Sequence, residues 1–219
     1  MSSSIKRKYQ SRLRSQAAEA TRQRVLRAAK AHFTRHGIDR VTIAEIAERA
    51  EVAASTVYAL FKSKEGILRE LMSRAIFGER FRSATEQLKG VHDPVKLIGL
   101  TAQVARAIYE GESTELGLLR GASAFSPALR KLEQEFERLR FEMQEERVRL
   151  LFEQAKQKQG LPFDEARRLL WMYTSREVYR MLVQEGGWTP DRYQRWLADT
   201  LVATLVDADH QGERPGRRR

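Results

Sequence analysis

The stretch TIAEIAERAEVAASTVYALFKSKEGIL, residues 42–68, holds two short segments with helical spacing, separated by a few polar residues. Thr42 is followed three residues later by Glu45, which is the pattern of a capping box at a helix start. Apolar residues then recur at spacings of three and four, as on one face of a helix: Ile43, Ile46, Ala47 and Ala50. We therefore predict a helix after Thr42 and a second short helix through residues 54–60.

The second segment is rich in alanine and hydroxyl side chains, which suits close approach to a large partner. Val52, Val57 and Phe61 lie on one side of it and would share a small core with the preceding helix. The remaining side chains would stay outside: Ala54, Ser55, Thr56, Tyr58 and Leu60. Two short helices after a longer bracing helix form the helix-turn-helix arrangement, whose second helix enters the DNA major groove.

The positive charge is concentrated near this motif. The chain has 219 residues and a formal net charge of +11. Residues 1–64 contain 14 Lys and Arg against 5 Asp and Glu, whereas residues 65–209 contain 22 against 23. A basic segment joined to a neutral body is typical of polyanion binding. A solvated surface that aids solubility is the alternative interpretation.

The rest of the pattern predicts an all-α protein, because helical periodicity is widespread and strand alternation is nearly absent. Cysteine is absent, which excludes disulfides and fits a reducing cytoplasm. Neither a secretory signal nor an apolar run of about 20 residues is evident, so we expect no membrane partner. We expect the long helix after Pro127 to run to about Lys158 and the next to reach Gly186. Caps and glycines set the other boundaries: starts at Thr21, Thr42, Ser63, Ser126-Pro127, Asp164 and Thr189-Pro190, and a stop at Gly37.

The N-terminal third resembles the DNA-binding domain of the TetR family of bacterial transcriptional regulators, over about residues 22–72. The matching positions have fixed spacing: Phe33 and Gly37, Thr42-Ile43, Ile46-Ala47, Thr56-Val57-Tyr58, Phe61 and Ser63-Lys64-Glu65. The resemblance implies a homodimer that binds a palindromic double-stranded DNA operator. It also implies phosphate contacts by Thr42, Thr56, Tyr58 and Lys64, and chemistry agrees, because hydroxyls and ammonium groups fix register without reading sequence. Further DNA-binding candidates are Arg40 for phosphate, and Ala53, Ala54, Ser55 and Leu60 for bases or backbone.

Three positions depart from the family pattern. Glu51 stands where glycine is usual in the turn, which predicts a local difference and a negative charge near DNA. Ala53 replaces the usual serine cap, a change that loses about 1 kcal/mol. Leu60 stands where histidine or an aromatic residue is common, which puts one backbone contact in doubt. The basic residues before the first helix could contact DNA or form a solvated extension.

We predict four regions: a basic arm (residues 1–20), the DNA-binding domain (21–78), a ligand-binding and dimerisation domain (79–209) and a disordered basic tail (210–219). By the resemblance, the third region binds a small-molecule effector and forms the dimer interface. Our effector-site candidates are Tyr109, Leu119, Phe125, Met143, Trp171 and Arg176. Our interface candidates are Tyr179, Met181, Trp188, Tyr193, Trp196, Leu197, Leu201 and Leu205, each of which could equally be core.

Catalytic chemistry fits poorly. The Gly121-Ala122-Ser123 triplet lacks the final glycine and the preceding strand of a nucleophile elbow. His32 and His36 have helical metal-ligand spacing but no partnering glutamate, so we predict no metal and no cofactor. By the resemblance, we predict a repressor that a small molecule releases from DNA. A ligand-independent or activating regulator and a helical-bundle enzyme or carrier are the alternatives.

Overall fold

A computed structural model of the chain describes residues 2–111, 117, 120–121 and 124–210, with side chains from residue 12 onward. The described part is helical, with an isolated bridge between Gln157 and Val206 and no strand, so the all-α prediction is confirmed. None of the described helices is both long and apolar enough to cross a membrane. The helices are α1 (Ser2–His36), α2 (Ile43–Arg49), α3 (Ala54–Phe61), α4 (Lys64–Ile76), α5 (Glu79–Glu86), α6 (Pro94–Gly111), α7 (Pro127–Glu153), α8 (Phe163–Tyr173), α9 (Arg176–Tyr179) and α10 (Pro190–Leu205).

The chain divides into two compact units. The first comprises residues 1–75 and 113–133, and the second comprises residues 76–112 and 134–219. The short segment around Pro127 therefore groups with the DNA-binding helices, although it is far from them in sequence. The predicted Leu119 and most of the predicted tail, residues 211–219, lie outside the described residues.

The first unit has a core of apolar side chains from all four of its N-terminal helices. Val25, Ala29 and Phe33 of α1 are fully buried, as their spacing predicts. Arg22 of α1 places its guanidinium 4.9 Å from the ring centre of Phe61. The buried set from the other helices is Ile46, Val57, Ile67, Leu68 and Met72.

The second unit is built around α6 and α10. Ile98 and Ala102 of α6 and Leu197 and Leu201 of α10 are fully buried. Thr189 accepts a hydrogen bond from the backbone N–H of Arg192 at 3.2 Å, and Pro190 follows at the first turn, so the predicted start of α10 is confirmed.

Four predicted helix boundaries are wrong. Thr21 is an interior residue of α1 and its hydroxyl donates to the carbonyl of Ala17 at 2.9 Å, because helix-forming residues continue upstream without a break. α7 ends at Glu153 rather than near Lys158, shortly before Ala155 takes a left-handed backbone with φ 52°.

Asp164 lies in the first turn of α8 instead of capping it, and the cap position belongs to Pro162. The helix also stops at Tyr173, well before the predicted Gly186. Ser175 caps the next helix, α9, by accepting from the backbone N–H of Val178 at 3.4 Å. A π-helical turn, Arg180–Glu185, follows α9.

Candidate nucleic-acid interface

The two short helices of the motif lie where the sequence predicts them. Thr42 Oγ1 accepts from the N–H of Glu45 at 3.2 Å, and the Glu45 carboxylate accepts from the N–H of Thr42 at 2.7 Å. These reciprocal bonds are the predicted capping box. The Thr42 hydroxyl also donates to the Glu45 carboxylate at 2.8 Å, and these bonds lower the pKa of Glu45. Thr42 therefore fixes the start of α2 before any contact with DNA.

The helix α3 presents one buried and one exposed face. Val57 and Phe61 are buried at 0% and 6% exposure, which anchors the helix to the first unit. Tyr58 is 52% exposed, so its ring and hydroxyl face away from the core. The other predicted contact residues are exposed or half-buried: Ala53, Ala54, Ser55, Thr56 and Leu60, together with Arg40 in the loop before α2.

The turn between α2 and α3 adopts the conformation that glycine usually provides. Glu51 has φ 54°, in the left-handed region, and carries an exposed side chain. A non-glycine residue there is strained by about 1–2 kcal/mol. Ala53 is the N-cap of α3 with no side-chain capping bond, as its side chain dictates. The turn thus keeps a helix-turn-helix geometry with less local stabilisation than glycine and serine would provide.

Lys64 makes contacts that the sequence does not reveal. Its ammonium group donates to the carbonyl oxygens of Ile38 at 3.0 Å and Asp39 at 3.3 Å, in the loop between α1 and α2. An ammonium group has three N–H donors, so one is left for a phosphate. Lys64 is therefore a tether between α4 and this loop as well as a candidate DNA contact.

Ser63 and Gly66 set the junction between α3 and α4. Ser63 Oγ accepts from the N–H of Gly66 at 3.2 Å, which confirms the predicted cap of α4. A Cβ atom on Gly66 would lie 1.9 Å from the carbonyl oxygen of Phe61, so glycine is required for the two helices to come this close.

The five predicted effector residues within the described part of the chain lie in both units, and they stay candidates. Phe125 belongs to the first unit and is 89% exposed, whereas Tyr109, Met143, Trp171 and Arg176 belong to the second. Tyr109 is buried and donates to the carbonyl oxygen of Thr174 at 2.7 Å, and Met143 is 41% exposed.

A buried polar network lies beside Tyr109 in the second unit. Gln144 donates to the Thr174 hydroxyl at 2.8 Å, and Arg140 donates to the same oxygen at 2.7 Å. The indole N–H of Trp171 donates to Glu137 at 3.0 Å. Burial raises the pKa of the fully buried Tyr193, whose ring packs 4.9 Å from that of Tyr179.

The second unit also contains a polar cleft of about 490 Å³ that sequence reasoning missed. Arg106 pairs with Glu110 at 3.1 Å and with Asp191, and Arg80 reaches Glu110 at 3.4 Å. Charged residues four apart on α6 gave a weak signal for it. The lining residues are Glu79, Arg80, Ser83, Ala84, Gln103, Arg106, Ala107, Glu110 and Gln194.

The predicted interface residues divide into core and surface. Tyr179, Tyr193, Leu197, Leu201 and Leu205 are buried within the second unit. Met181 is half exposed, and Trp188 and Trp196 are half-buried with ring centres 5.7 Å apart. Met172 of α8, which sequence reasoning missed, is 44% exposed.

Comparison with known proteins gives a family match within the first unit. Residues 25–71 match the family of bacterial regulatory proteins named tetR. Searching curated proteins by sequence gives no match. Among solved structures, the chain is similar in fold to NalD of Pseudomonas aeruginosa, the secondary repressor of the MexAB-OprM multidrug efflux pump, with 23% identity, a TM-score of 0.67 and coverage of 86% of this chain and 98% of NalD.

Two ligand complexes share the fold. SmeT with triclosan has 19% identity and a TM-score of 0.62, covering 91% of this chain and 100% of SmeT. FadR of Bacillus subtilis with stearoyl-CoA has 18% identity and a TM-score of 0.62, covering 83% and 97%. The resemblance read from the residues is confirmed: residues 25–71 form the helix-turn-helix DNA-binding domain of the tetR family of bacterial regulatory proteins.

Proposed function

We propose that this protein is a homodimeric repressor that binds a palindromic operator and is released from it by a small molecule. The observation that carries the proposal is the exposed face of α3, which follows the capped helix α2 in a helix-turn-helix. Its side chains are small or hydroxyl-bearing, and Tyr58 projects 52% exposed beside them. This composition lets a helix lie deep in the major groove, where base edges are read.

The contacts divide by chemistry. Tyr58 and Thr56 hydroxyls, Arg40 and the third N–H of Lys64 bind phosphates and fix the register of the head on DNA. Ala53, Ala54 and Ser55 approach the bases, and Leu60 lies beside them. The role of Thr42 is to hold α2, since its hydroxyl is already engaged with Glu45.

The N-terminal part of α1 adds a non-specific contact. Its backbone is helical from Ser2, and residues 12–20 are exposed. Residues 2–18 contain five Lys and Arg and no Asp or Glu. This basic helix binds the phosphate backbone beyond the groove and strengthens the dependence of affinity on salt.

The homodimer forms through the exposed apolar residues of the second unit. Met172 and Met181, with the Trp188 and Trp196 rings, provide the methionine and aromatic side chains that interface cores favour. Replacing Met172 or Met181 by Glu should produce monomers in sedimentation analysis. Gln184 is an exposed polar residue, so Gln184→Glu is the matched control and should leave the dimer intact.

The effector binds within the second unit, for which the polar cleft and the network around Thr174 are the candidate sites. A ligand lowers operator affinity only if it prefers one arrangement of the two DNA-binding heads over the other. Triclosan and stearoyl-CoA, the ligands of two proteins with this fold, are the first probes. Operator binding that is indifferent to each molecule tested would favour the ligand-independent alternative.

The central experiment is a mobility-shift assay on the DNA upstream of the protein's own reading frame, with a scrambled duplex of the same composition. We expect a complex selective for the upstream DNA, with affinity falling steeply as salt rises. Tyr58→Phe should weaken binding to both duplexes, whereas Ser55→Ala should alter preference at one base position. The absence of a selective complex would contradict the proposed function.

A further inference from the structure

A buried serine links the start of α7 to the DNA-binding helices within the first unit. Ser126 is 1% exposed and lies directly before Pro127, the first residue of α7. Its hydroxyl donates to Asp39 Oδ1 at 3.0 Å, across 87 positions of sequence. A serine before a proline at the first turn commonly caps its own helix. A cap uses the serine oxygen as an acceptor, so the hydroxyl proton remains available, and here it goes to Asp39 in another element.

The loop that receives this bond controls the entry into the helix-turn-helix. It begins at Gly37, which has φ 76°, and ends at Thr42, the cap of α2. Lys64 holds the loop through the carbonyl oxygens of Ile38 and Asp39. Ser126 holds it through the Asp39 side chain, so α4 and α7 both constrain the same few residues.

Arg40, a candidate phosphate contact, directly follows Asp39. A shift of the loop would therefore move Arg40 and the first turn of α2 together. α7 continues from Pro127 to Glu153, and its residues from 134 onward belong to the second unit.

We propose that Ser126 and Asp39 are a positioning pair, which holds the α1–α2 loop in the arrangement that binds the operator. The inference rests on the proposed function for its link to the operator. Neither residue contacts DNA in this assignment. The pair acts through Arg40 and the start of α2.

The first test is independent of DNA. Ser126→Ala removes the donor while preserving volume, and hydrogen exchange of the unliganded protein should then speed up at Val41 and Glu45. The N–H of Lys62, which bonds to the carbonyl of Tyr58 at 2.9 Å, should keep its exchange rate. Unchanged exchange at Val41 and Glu45 would overturn the positioning role, even if the protein binds its operator.

The second test is a double-mutant cycle on operator affinity by fluorescence anisotropy. Ser126→Ala should weaken binding roughly tenfold, the scale of a hydrogen bond to a charged group. The Asp39→Ala variant should bind the operator more weakly than the Asp39→Asn variant by a similar factor. Both substitutions remove the charge, but Asn retains an acceptor for the Ser126 hydroxyl. The double variant Ser126→Ala with Asp39→Ala should bind no more weakly than Asp39→Ala alone.

Ser175→Ala is the matched control, because Ser175 directly precedes a helix as Ser126 does but lies in the second unit. The operator affinity of this variant should equal that of the wild type. The proposal that Ser126 and Asp39 act as a pair would be overturned by additive effects of the two substitutions, or by wild-type affinity of the Ser126→Ala variant. If exchange at Val41 and Glu45 rises but the wild-type protein binds no operator, the proposed function fails while the pair's hold on the loop stands.

Discussion

The two short helices of the DNA-binding head begin in opposite ways. α2 starts with reciprocal hydrogen bonds between Thr42 and Glu45, so its first turn is stabilised locally. The N-cap of α3 is Ala53, which offers no side-chain cap and lies two residues after the left-handed Glu51. Its own buried side chains, Val57 and Phe61, hold it instead.

This difference in capping matches the different roles that we propose for α2 and α3. In the proposed function α2 crosses the DNA backbone, and its reciprocal capping bonds satisfy its own terminus. We propose that α3 enters the groove; its first backbone N–H groups have no side-chain cap, and a phosphate can accept from such groups. Tertiary packing must then fix α3, and its junction with α4 becomes the most sensitive position.

Gly66→Ala should have the largest effect on this comparison. The added Cβ would lie 1.9 Å from the Phe61 carbonyl oxygen, so the backbone of α3 or α4 must move. We expect a loss of about 3 kcal/mol in the free energy of unfolding, measured by urea denaturation. Gly99→Ala is the control, because its Cβ would meet Val202 at an ordinary 3.9 Å and should leave stability unchanged or higher. Equal stability of the two variants would mean that α3 does not depend on this junction.

Sequence reasoning succeeded where the governing chemistry is local. The stop at Gly37, the caps of α2, α4 and α10 and the apolar faces of α1 and α3 depend on residues within a turn or two of one another. The errors at Thr21 and Asp164 have one cause: a plausible cap residue does not start a helix when helical sequence continues through it or another residue precedes it.

The site was predictable only in part, for a related reason. The exposed face of α3 follows from periodicity, and its DNA contacts stay predictions. The bonds of Lys64 to the α1–α2 loop and of Ser126 to Asp39 join residues 25 or more positions apart, so no spacing rule reveals them. The polar cleft is similar, because its lining comes from α5, α6 and α10 and only the charged pair on α6 has a spacing that hints at it.

Exchanging the caps of the two helices should change stability in opposite directions. Thr42→Ala removes the capping box and should lower the free energy of unfolding by about 1–2 kcal/mol. Ala53→Ser supplies the missing cap of α3 and should raise it by about 1 kcal/mol. Urea denaturation with an unchanged slope measures both. If Ala53→Ser has no effect, packing already fixes the first turn of α3 completely.

Two substitutions at Glu51 separate backbone strain from charge. Glu51→Gly relieves the left-handed backbone and removes a negative charge, whereas Glu51→Gln removes only the charge. We expect Glu51→Gly alone to raise the free energy of unfolding, by less than about 1 kcal/mol because glycine is more flexible when unfolded. Both should tighten operator binding a few-fold at low salt, with the gain shrinking as salt screens the charge. Tighter binding by Glu51→Gly only would assign the effect to the shape of the turn.

The smallest expected effect is the pH dependence of the α2 cap. The hydrogen bonds from Thr42 lower the pKa of Glu45 below its ordinary value of 4.5. The stability that the Glu45 carboxylate contributes to the folded protein is therefore complete above the unfolded pKa. It is lost as pH falls through the lower folded pKa. Between pH 6 and 3, the denaturation midpoint of the wild type should fall more than that of Glu45→Gln, whose amide does not titrate. In a Thr42→Ala background the two curves should run closer together, since the bonds that shift the pKa are gone. Parallel curves in the wild-type background would mean that the Glu45 carboxylate adds no pH-dependent stability to the α2 cap.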